Sequence, residues 1–153
     1  MKEIQLSQGK VALVDDEDFE YLNQWKWCAQ KNWNTYYVER SCNRKLLYMH
    51  RIVLNAPKGM LVDHADNNGL NNQKENLRIC TNKQNSANKS KQANNTSGFK
   101  GVYKQDNKWR ARIVVDGKTI SLGRFSIIED AARAYDKAAK KYYGFFYKPN
   151  IQE

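Results

Sequence analysis

With 153 residues, of which 41% are hydrophobic and 12% aromatic, the chain has enough apolar material for one medium or two small cores, which excludes a disordered protein. A formal net charge of +10 makes a polyanion the first partner to expect, although a merely well-solvated basic surface carries the same charge. No apolar run nears the roughly 18 residues that cross a bilayer, and the start, MKEIQLSQGK, lacks the hydrophobic segment of a signal peptide. A soluble, cytoplasmic protein with no membrane attachment and no obligate protein partner is expected.

The charge is unevenly spread. Residues 89–153 hold 14 Lys and Arg against 6 Asp and Glu, whereas residues 1–88 hold 12 against 10. The basic excess therefore belongs to the C-terminal part. Cys28, Cys42 and Cys80 are odd in number, far apart and not at zinc-finger spacing, so they read as buried or idle thiols.

Taken in order, residues 3–15 predict two short strands joined by Ser7-Gln8-Gly9, since Ile4 and Leu6 alternate with polar residues and Val11, Leu13 and Val14 form a compact apolar run. The acidic residues 15–20 suit a helix N-terminus better than a metal site, and Phe19, Leu22 and Trp25 follow as one apolar stripe. Tyr36-Tyr37-Val38 and residues 45–48 predict two more strands about the turn Ser41-Cys42-Asn43-Arg44. Trp27 and Trp33 read as core or sheet-face residues rather than base-stacking platforms.

Residues 50–55, HRIVLN, suit a short helix that Pro57 stops. Met60-Leu61-Val62 is a β-prone run leading into Asp63-His64. After the turn Asp66-Asn67-Asn68-Gly69, residues 76–80 predict a second strand, and Thr81-Asn82-Lys83-Gln84 is a capping box that opens a helix. The result is a β–β–α unit with Asp63-His64 at the end of its first strand. Asn85 and Asn88 share one face of its helix.

Residues 89–97, KSKQANNTS, have no apolar periodicity and read as a linker, its core at 91–97. Beyond it, residues 101–103, 108–115 and 118–125 predict three strands, the last two joined by Asp116-Gly117. Alternation along the middle strand puts Trp109, Ala111, Ile113 and Val115 on one face and Arg110, Arg112 and Val114 on the other. Ser126-Ile127-Ile128-Glu129 reads as a second capping box opening an alanine-rich helix that ends at Gly144. That helix covers the Trp109 face and leaves the arginine face open.

Hydrolysis of a phosphodiester needs a base to activate water and a cation for the charge that develops on the phosphorane and the leaving oxygen. Imidazole can be that base near neutrality. Oxygen donors from Asp63 and Asn85, completed by water and phosphate, suit a hard cation such as magnesium or manganese, one ion per site; zinc asks for more histidine or cysteine.

Asp63-His64, Asn76-Leu77 and Asn85, with His50-Arg51 upstream, resemble the HNH endonuclease family over roughly residues 45–90. The likeness is nearest to the phage and intron-encoded homing endonucleases with asparagine at the last motif position. The resemblance implies His64 as general base, Asp63 and Asn85 as metal ligands, Asn76 as the brace of the loop between the strands, and His50 and Arg51 near the scissile phosphate. It also implies a phage or bacterial host cell.

Gly101-Val102-Tyr103, Trp109, Leu122-Gly123-Arg124-Phe125, Glu129, Ala131-Ala132 and Ala134-Tyr135-Asp136 resemble the ethylene-response-factor (Apetala-like) DNA-binding domain over residues 98–147. That family inserts its exposed sheet face into the major groove of double-stranded DNA. The likeness selects Lys100, Tyr103, Gln105, Arg110, Arg112, Thr119 and Ser121 as DNA contacts.

The expectation is thus an α+β protein. Residues 1–90 form a β-rich region with a ββα-metal HNH motif, residues 91–97 a linker, and residues 98–153 a three-stranded antiparallel sheet packed on one helix. The function expected is a homing-type, site-specific DNA endonuclease; the alternative is a DNA-binding regulator with an inactive HNH remnant.

Overall fold

The computed structural model describes residues 1–32, 35–92 and 94–151; Trp33, expected in the core or on a sheet face, lies outside them. The chain is α+β and divides into two compact units, Met1–Asn85 and Ser86–Glu153.

In the first unit, β1 (Lys2–Gln5) and β2 (Val11–Val14) form an antiparallel hairpin. Helix α1 (Asp16–Leu22) follows, with Asp16, Glu17 and Asp18 in its first turn, where the helix dipole favours negative charge. Then β3 (Cys28–Asn32), β4 (Thr35–Cys42) and β5 (Lys45–Tyr48) make an antiparallel sheet in that order. Helix α2 (Met49–Val53) leads to the hairpin of β6 (Leu61–His64) and β7 (Leu77–Cys80), and α3 (Asn82–Asn88) ends the motif.

One core joins β1, β2, α1, β3, β4 and α2: Ile4, Leu6, Ala12, Val14, Leu22, Trp27, Ala29, Val38 and Met49. Trp27 is buried with its indole N–H donated to the Leu22 carbonyl at 2.8 Å, so its polar atom is satisfied. Three expectations change here. Helix α1 ends at Leu22, so Trp25 packs on the core from the chain that follows rather than from the helix. Asn76 belongs to a single 3₁₀ turn, Lys74–Asn76, and the strand starts after it. Strand β3 has no counterpart among the predicted elements, because in CAQKN only Ala29 is buried.

The acidic residues at α1 also do more than begin a helix. Asp15 makes no side-chain cap bond; its carboxylate accepts the Lys74 backbone N–H at 2.7 Å and the Gln73 amide at 3.3 Å. The Lys74 ammonium reaches both Glu17 and Asp18. The cluster thereby clamps the segment just before β7.

In the second unit, β8 (Val102–Gln105), β9 (Lys108–Val115) and β10 (Lys118–Phe125) form an antiparallel sheet with β9 central. Both hairpins turn through residues with positive φ, Asp106-Asn107 and Asp116-Gly117, the backbone that two-residue turns require. Helix α4 (Ile128–Tyr143) lays Ala131, Ala132, Ala138 and Ala139 on Val102, Ala111, Ile113 and Val115. Its start departs from the predicted capping box. Ile127 is the N-cap and makes no side-chain bond, while the Ser126 hydroxyl, one residue too early, accepts the Lys108 ammonium at 2.7 Å.

The expected linker is built into this unit at its far end. The Ser97 hydroxyl donates to the Val102 carbonyl at 2.7 Å, and the Asn95 side-chain oxygen accepts the Gly98 N–H at 2.7 Å. The tail is tied as well: Asp136 accepts the backbone N–H groups of Asn150 and Ile151, and the Asn150 amide both accepts from and donates to the Lys100 backbone. Gly101, at φ 69°, allows β8 to enter under α4, since a Cβ there would stand 2.3 Å from the Tyr135 ring and 2.4 Å from the Arg112 carbonyl. Gly101→Ala is therefore expected to destabilise the chain by about 2–4 kcal/mol, read as a lowered urea midpoint; an unchanged midpoint would refute the close approach.

Candidate active site and nucleic-acid interface

Strands β6 and β7 pair with Asp63 opposite Arg78 and His64 opposite Leu77, so the carboxylate and the imidazole end one short strand. The twelve residues between the strands, 65–76, are held by side chains rather than by regular structure. The Asn76 amide oxygen accepts the Asp66 N–H at 3.0 Å, and its NH₂ donates to Asp66 at 3.0 Å and to the Asn71 carbonyl at 2.8 Å. Asp66 in turn accepts the Asn68 N–H at 2.7 Å and the Asn71 amide at 2.9 Å. Asn76 is buried, so its own bonds are partly shielded from competing water, whereas those of Asp66 to Asn68 and Asn71 are exposed.

The same loop is held from outside. Leu13 N–H donates to the Leu70 carbonyl, and Asn72 N–H to the Leu13 carbonyl. Gly69 N–H donates to the Thr35 hydroxyl at 2.9 Å. Only glycine fits at 69, because a Cβ would lie 2.3 Å from the Tyr36 carbonyl oxygen. This contact seats β4 against the site and brings Tyr37 against both histidines, its ring centroid 5.6 Å from His50 and 5.7 Å from His64.

His64 is 5% exposed. Burial lowers its pKa below the ordinary imidazole value, against the opposing pull of Asp66, a hydrogen bond with Asn72, and Asp63. His64 is accordingly neutral near pH 7, the form that can accept a proton. His50 lies 5.2 Å from it, ring edge to ring face, and stacks on Tyr48 at 5.5 Å. Burial, then the charges of His64 and Arg51, push the His50 pKa down to about 3. His50 is thus an uncharged wall of the site.

Asp63 is buried, and its carboxylate meets the Arg78 guanidinium, a partner the sequence reading did not assign. Asn85 sits one turn into α3, whose start is the expected capping box: Thr81 N–H donates to the Gln84 amide oxygen at 2.9 Å and Gln84 N–H to the Thr81 hydroxyl at 3.3 Å. Cys80, at the end of β7, is fully buried, and its thiol is pushed up to about 11 by burial first and then by the Asp63 charge, with the Arg78 charge and the Asn85 backbone hydrogen bond opposing. A protonated thiol is no metal ligand.

No group of three or more His, Cys, Asp and Glu side chains at metal-binding distance exists among the described residues. The two expected donors, the Asp63 carboxylate and the Asn85 side-chain amide, are hard oxygens, of the kind that suits a cation that keeps water and takes phosphate oxygens.

Arg51, expected near the scissile phosphate, is engaged within its own loop. Its guanidinium donates to the carbonyls of Met60 at 2.7 Å, Pro57 at 2.9 Å and Ala56 at 3.1 Å, which ties down the loop feeding β6. Lys100, expected as a DNA contact, is likewise engaged with backbone carbonyls. Its ammonium donates to the Ala87 and Lys89 carbonyls at 3.1 and 3.2 Å, and burial lowers its pKa to about 8.

The other expected contacts share the uncovered face of the second sheet. Tyr103 pairs with Arg110, Gln105 with Lys108, Arg112 with Ser121 and Val114 with Thr119. The Arg112 guanidinium lies 4.9 Å over the Tyr103 ring, and Arg110 is 3.8 Å from Asp106. Arg124 joins this face and was missed. Simple alternation puts it with Ile120 and Leu122 on the core side, but a bulge between Ser121 and Gly123 resets the register, so that Arg124 pairs with Arg110 and Phe125 with Trp109. Gly123, at φ 125°, was the visible signal.

A basic sheet face in one unit, and a neutral buried imidazole next to a carboxylate in the other, define a hydrolase acting on nucleic-acid phosphodiesters. The comparisons agree. The HNH endonuclease family model matches residues 48–87, and the AP2 domain model matches residues 97–144. An uncharacterized HNH endonuclease of Acanthamoeba polyphaga mimivirus is 32% identical over 146 residues, 94% of this chain and 76% of the relative. Protein 3.8 of Escherichia phage T7 is 37% identical over 81 residues, 52% of this chain and 67% of that protein. An ethylene-responsive transcription factor-like protein of Arabidopsis thaliana is 54% identical over 41 residues, 27% of this chain and 18% of that protein. No solved structure matches.

The chain belongs to the HNH endonuclease family, DNA-cleaving hydrolases that generally depend on a divalent metal, and it carries an AP2-type DNA-binding domain. No helix among the described residues is long and apolar enough to cross a membrane.

The depressed His50 pKa makes a signed prediction. The unfolded chain takes up a proton on this residue near pH 6.5, and the folded chain refuses it until about 3. Stability is therefore full above pH 6.5 and falls as the pH drops through that window. Urea midpoints measured from pH 7.5 to 4 are expected to decline less steeply in His50→Phe than in the wild type; parallel slopes would contradict the burial of a neutral His50.

Proposed function

We propose that this chain is a site-specific endonuclease of double-stranded DNA, of the homing type, in which residues 1–90 cut, residues 98–153 grip and residues 91–97 connect. The observation that carries the reading is a buried, neutral His64 beside Asp63 at the end of β6, with their loop closed by Asn76.

In this reading His64 takes a proton from water, which attacks the phosphorus in line and leaves 5′-phosphate and 3′-hydroxyl ends. Asp63 and Asn85 would hold one ion, magnesium or manganese. When bound, that ion supplies positive charge to the phosphorane and the leaving oxygen. Asn76 keeps His64 and Asp63 in register, and His50 with Tyr37 keeps the imidazole dry and oriented. Arg51 spends three of its five N–H donors on carbonyls and in this reading holds the loop before β6. Tyr103, Gln105, Arg110, Arg112, Thr119 and Ser121, together with Arg124, contact the duplex; Lys100 supports the fold. One site per chain cuts one strand per encounter.

The ion pair of Asp63 with Arg78 favours one rival, a DNA-binding regulator whose HNH site is inert. Supercoiled plasmid bearing the target separates the two. The expected result is nicking with Mg²⁺, none with EDTA, and loss of nicking in His64→Ala with DNA binding retained; binding without nicking on a confirmed target would establish the regulator instead. Arg112→Ala is expected to weaken duplex binding by about 1–3 kcal/mol, measured by fluorescence anisotropy. Unchanged affinity would show that the face is wrongly assigned.

A further inference from the structure

The DNA-facing side of the second sheet is not uniformly polar. Along β9 the outward residues run Lys108, Arg110, Arg112 and Val114, and the last of these is a bare hydrocarbon side chain, 54% exposed. Thr119, exposed and paired with Val114 on β10, brings a methyl group to the same end. From the Arg110–Arg124 pair to the Val114–Thr119 pair is four residues of strand, about 13 Å. The face therefore has a cationic end and an apolar end.

A single exposed valine on a protein surface needs no explanation by itself. Three features set this one apart. It lies in register on the sheet face that carries the arginines, so whatever those arginines grip also covers Val114. It is rigidly presented, since the Tyr143 hydroxyl of α4 donates to the Val114 carbonyl at 2.6 Å and the Asp116-Gly117 turn closes the strand directly beyond. Both Val114 and Thr119 are β-branched and stiff at χ1, so little rotamer freedom is lost when they are covered.

We infer that Val114, with the Thr119 methyl group beside it, is an apolar reading edge that selects thymine in the target through its C5-methyl group. In the major groove thymine alone among the bases offers a methyl group, whereas every other base edge there offers hydrogen-bond donors or acceptors. Against a methyl, Val114 and Thr119 bury hydrocarbon on hydrocarbon. Against cytosine, adenine or guanine the same side chains strip water from a polar edge that valine cannot satisfy. The arginine end suits guanine O6 and N7, so the target is expected to carry a guanine step and, displaced from it along the groove, a thymine. The inference rests on the sheet face being the DNA contact proposed above, and goes beyond it by naming what one end of that face reads.

The test keeps the full chain in EDTA, so that DNA is bound and not cut. Duplexes are selected from a randomised pool, and each thymine of the selected site is replaced in turn by deoxyuridine, which removes only the methyl group. At one or two positions the replacement is expected to weaken wild-type binding about fourfold, the worth of one buried methyl group. Val114→Ala is expected to lose that penalty while keeping its response to substitution of the guanines. Val114→Thr, which preserves side-chain shape and strand preference, is expected to reduce the penalty without moving the thermal midpoint, so a folding defect in the alanine variant cannot imitate the result. A selected site without thymine, deoxyuridine neutral at every position, or a penalty undiminished in both variants would overturn the assignment while leaving DNA binding intact. Failure to retain any specific duplex would instead overturn the reading on which it rests.

Discussion

The arrangement of the catalytic unit depends on one buried amide. Asn76 bonds to both the backbone and the side chain of its loop and closes twelve residues between β6 and β7 with almost no regular structure to help. The loop carries Asp66, whose charge pulls the His64 pKa upward against burial, and Asn72, which hydrogen-bonds His64. If the closure is lost, His64 loses its orientation and its dry surroundings together. The proposed base, which must be neutral, aimed and shielded from bulk water, therefore hangs on a residue to which no chemistry is assigned.

The rest of the first unit holds that loop from outside. Asp15 grips the backbone of Lys74, Leu13 pairs with the chain at 70 and 72, and β4 closes on Gly69 through Thr35 and the Tyr36 carbonyl. The elements β1–β4 and α1 lie upstream of the residues the HNH family model matches. They supply support that a β–β–α motif of this size, with only short strands, cannot supply alone. The second unit uses the same economy, where a single bulge at Leu122 turns Arg124 outward and Phe125 inward.

Much of this was legible in the sequence, for local reasons. The Thr81–Gln84 box, the Asp116-Gly117 turn and the face sorting of β9 depend on residues close in the chain, and all three stand in the structure as their spacing implies. What escaped depends on distant partners. Strand β3 exists because β4 pairs with it, not because CAQKN is β-prone. The bulge is invisible to alternation because register is set across strands. Arg51 and Lys100 look like phosphate-binding cations in sequence, but each is turned onto backbone carbonyls. A motif names a basic residue without saying which way it points. Asp15, read as part of a helix start, finds its use at Lys74, 59 residues away.

The central claim is that a neutral, buried His64 is the base. Single-turnover cleavage of a mapped target, with saturating Mg²⁺ and followed from pH 5 to 8, tests it most directly. Burial lowers the His64 pKa, so the rate should rise with pH through one proton and level off, with its midpoint below about 6.5, the ordinary imidazole value. A midpoint at or above that value, or a rate still climbing through pH 8, would contradict it.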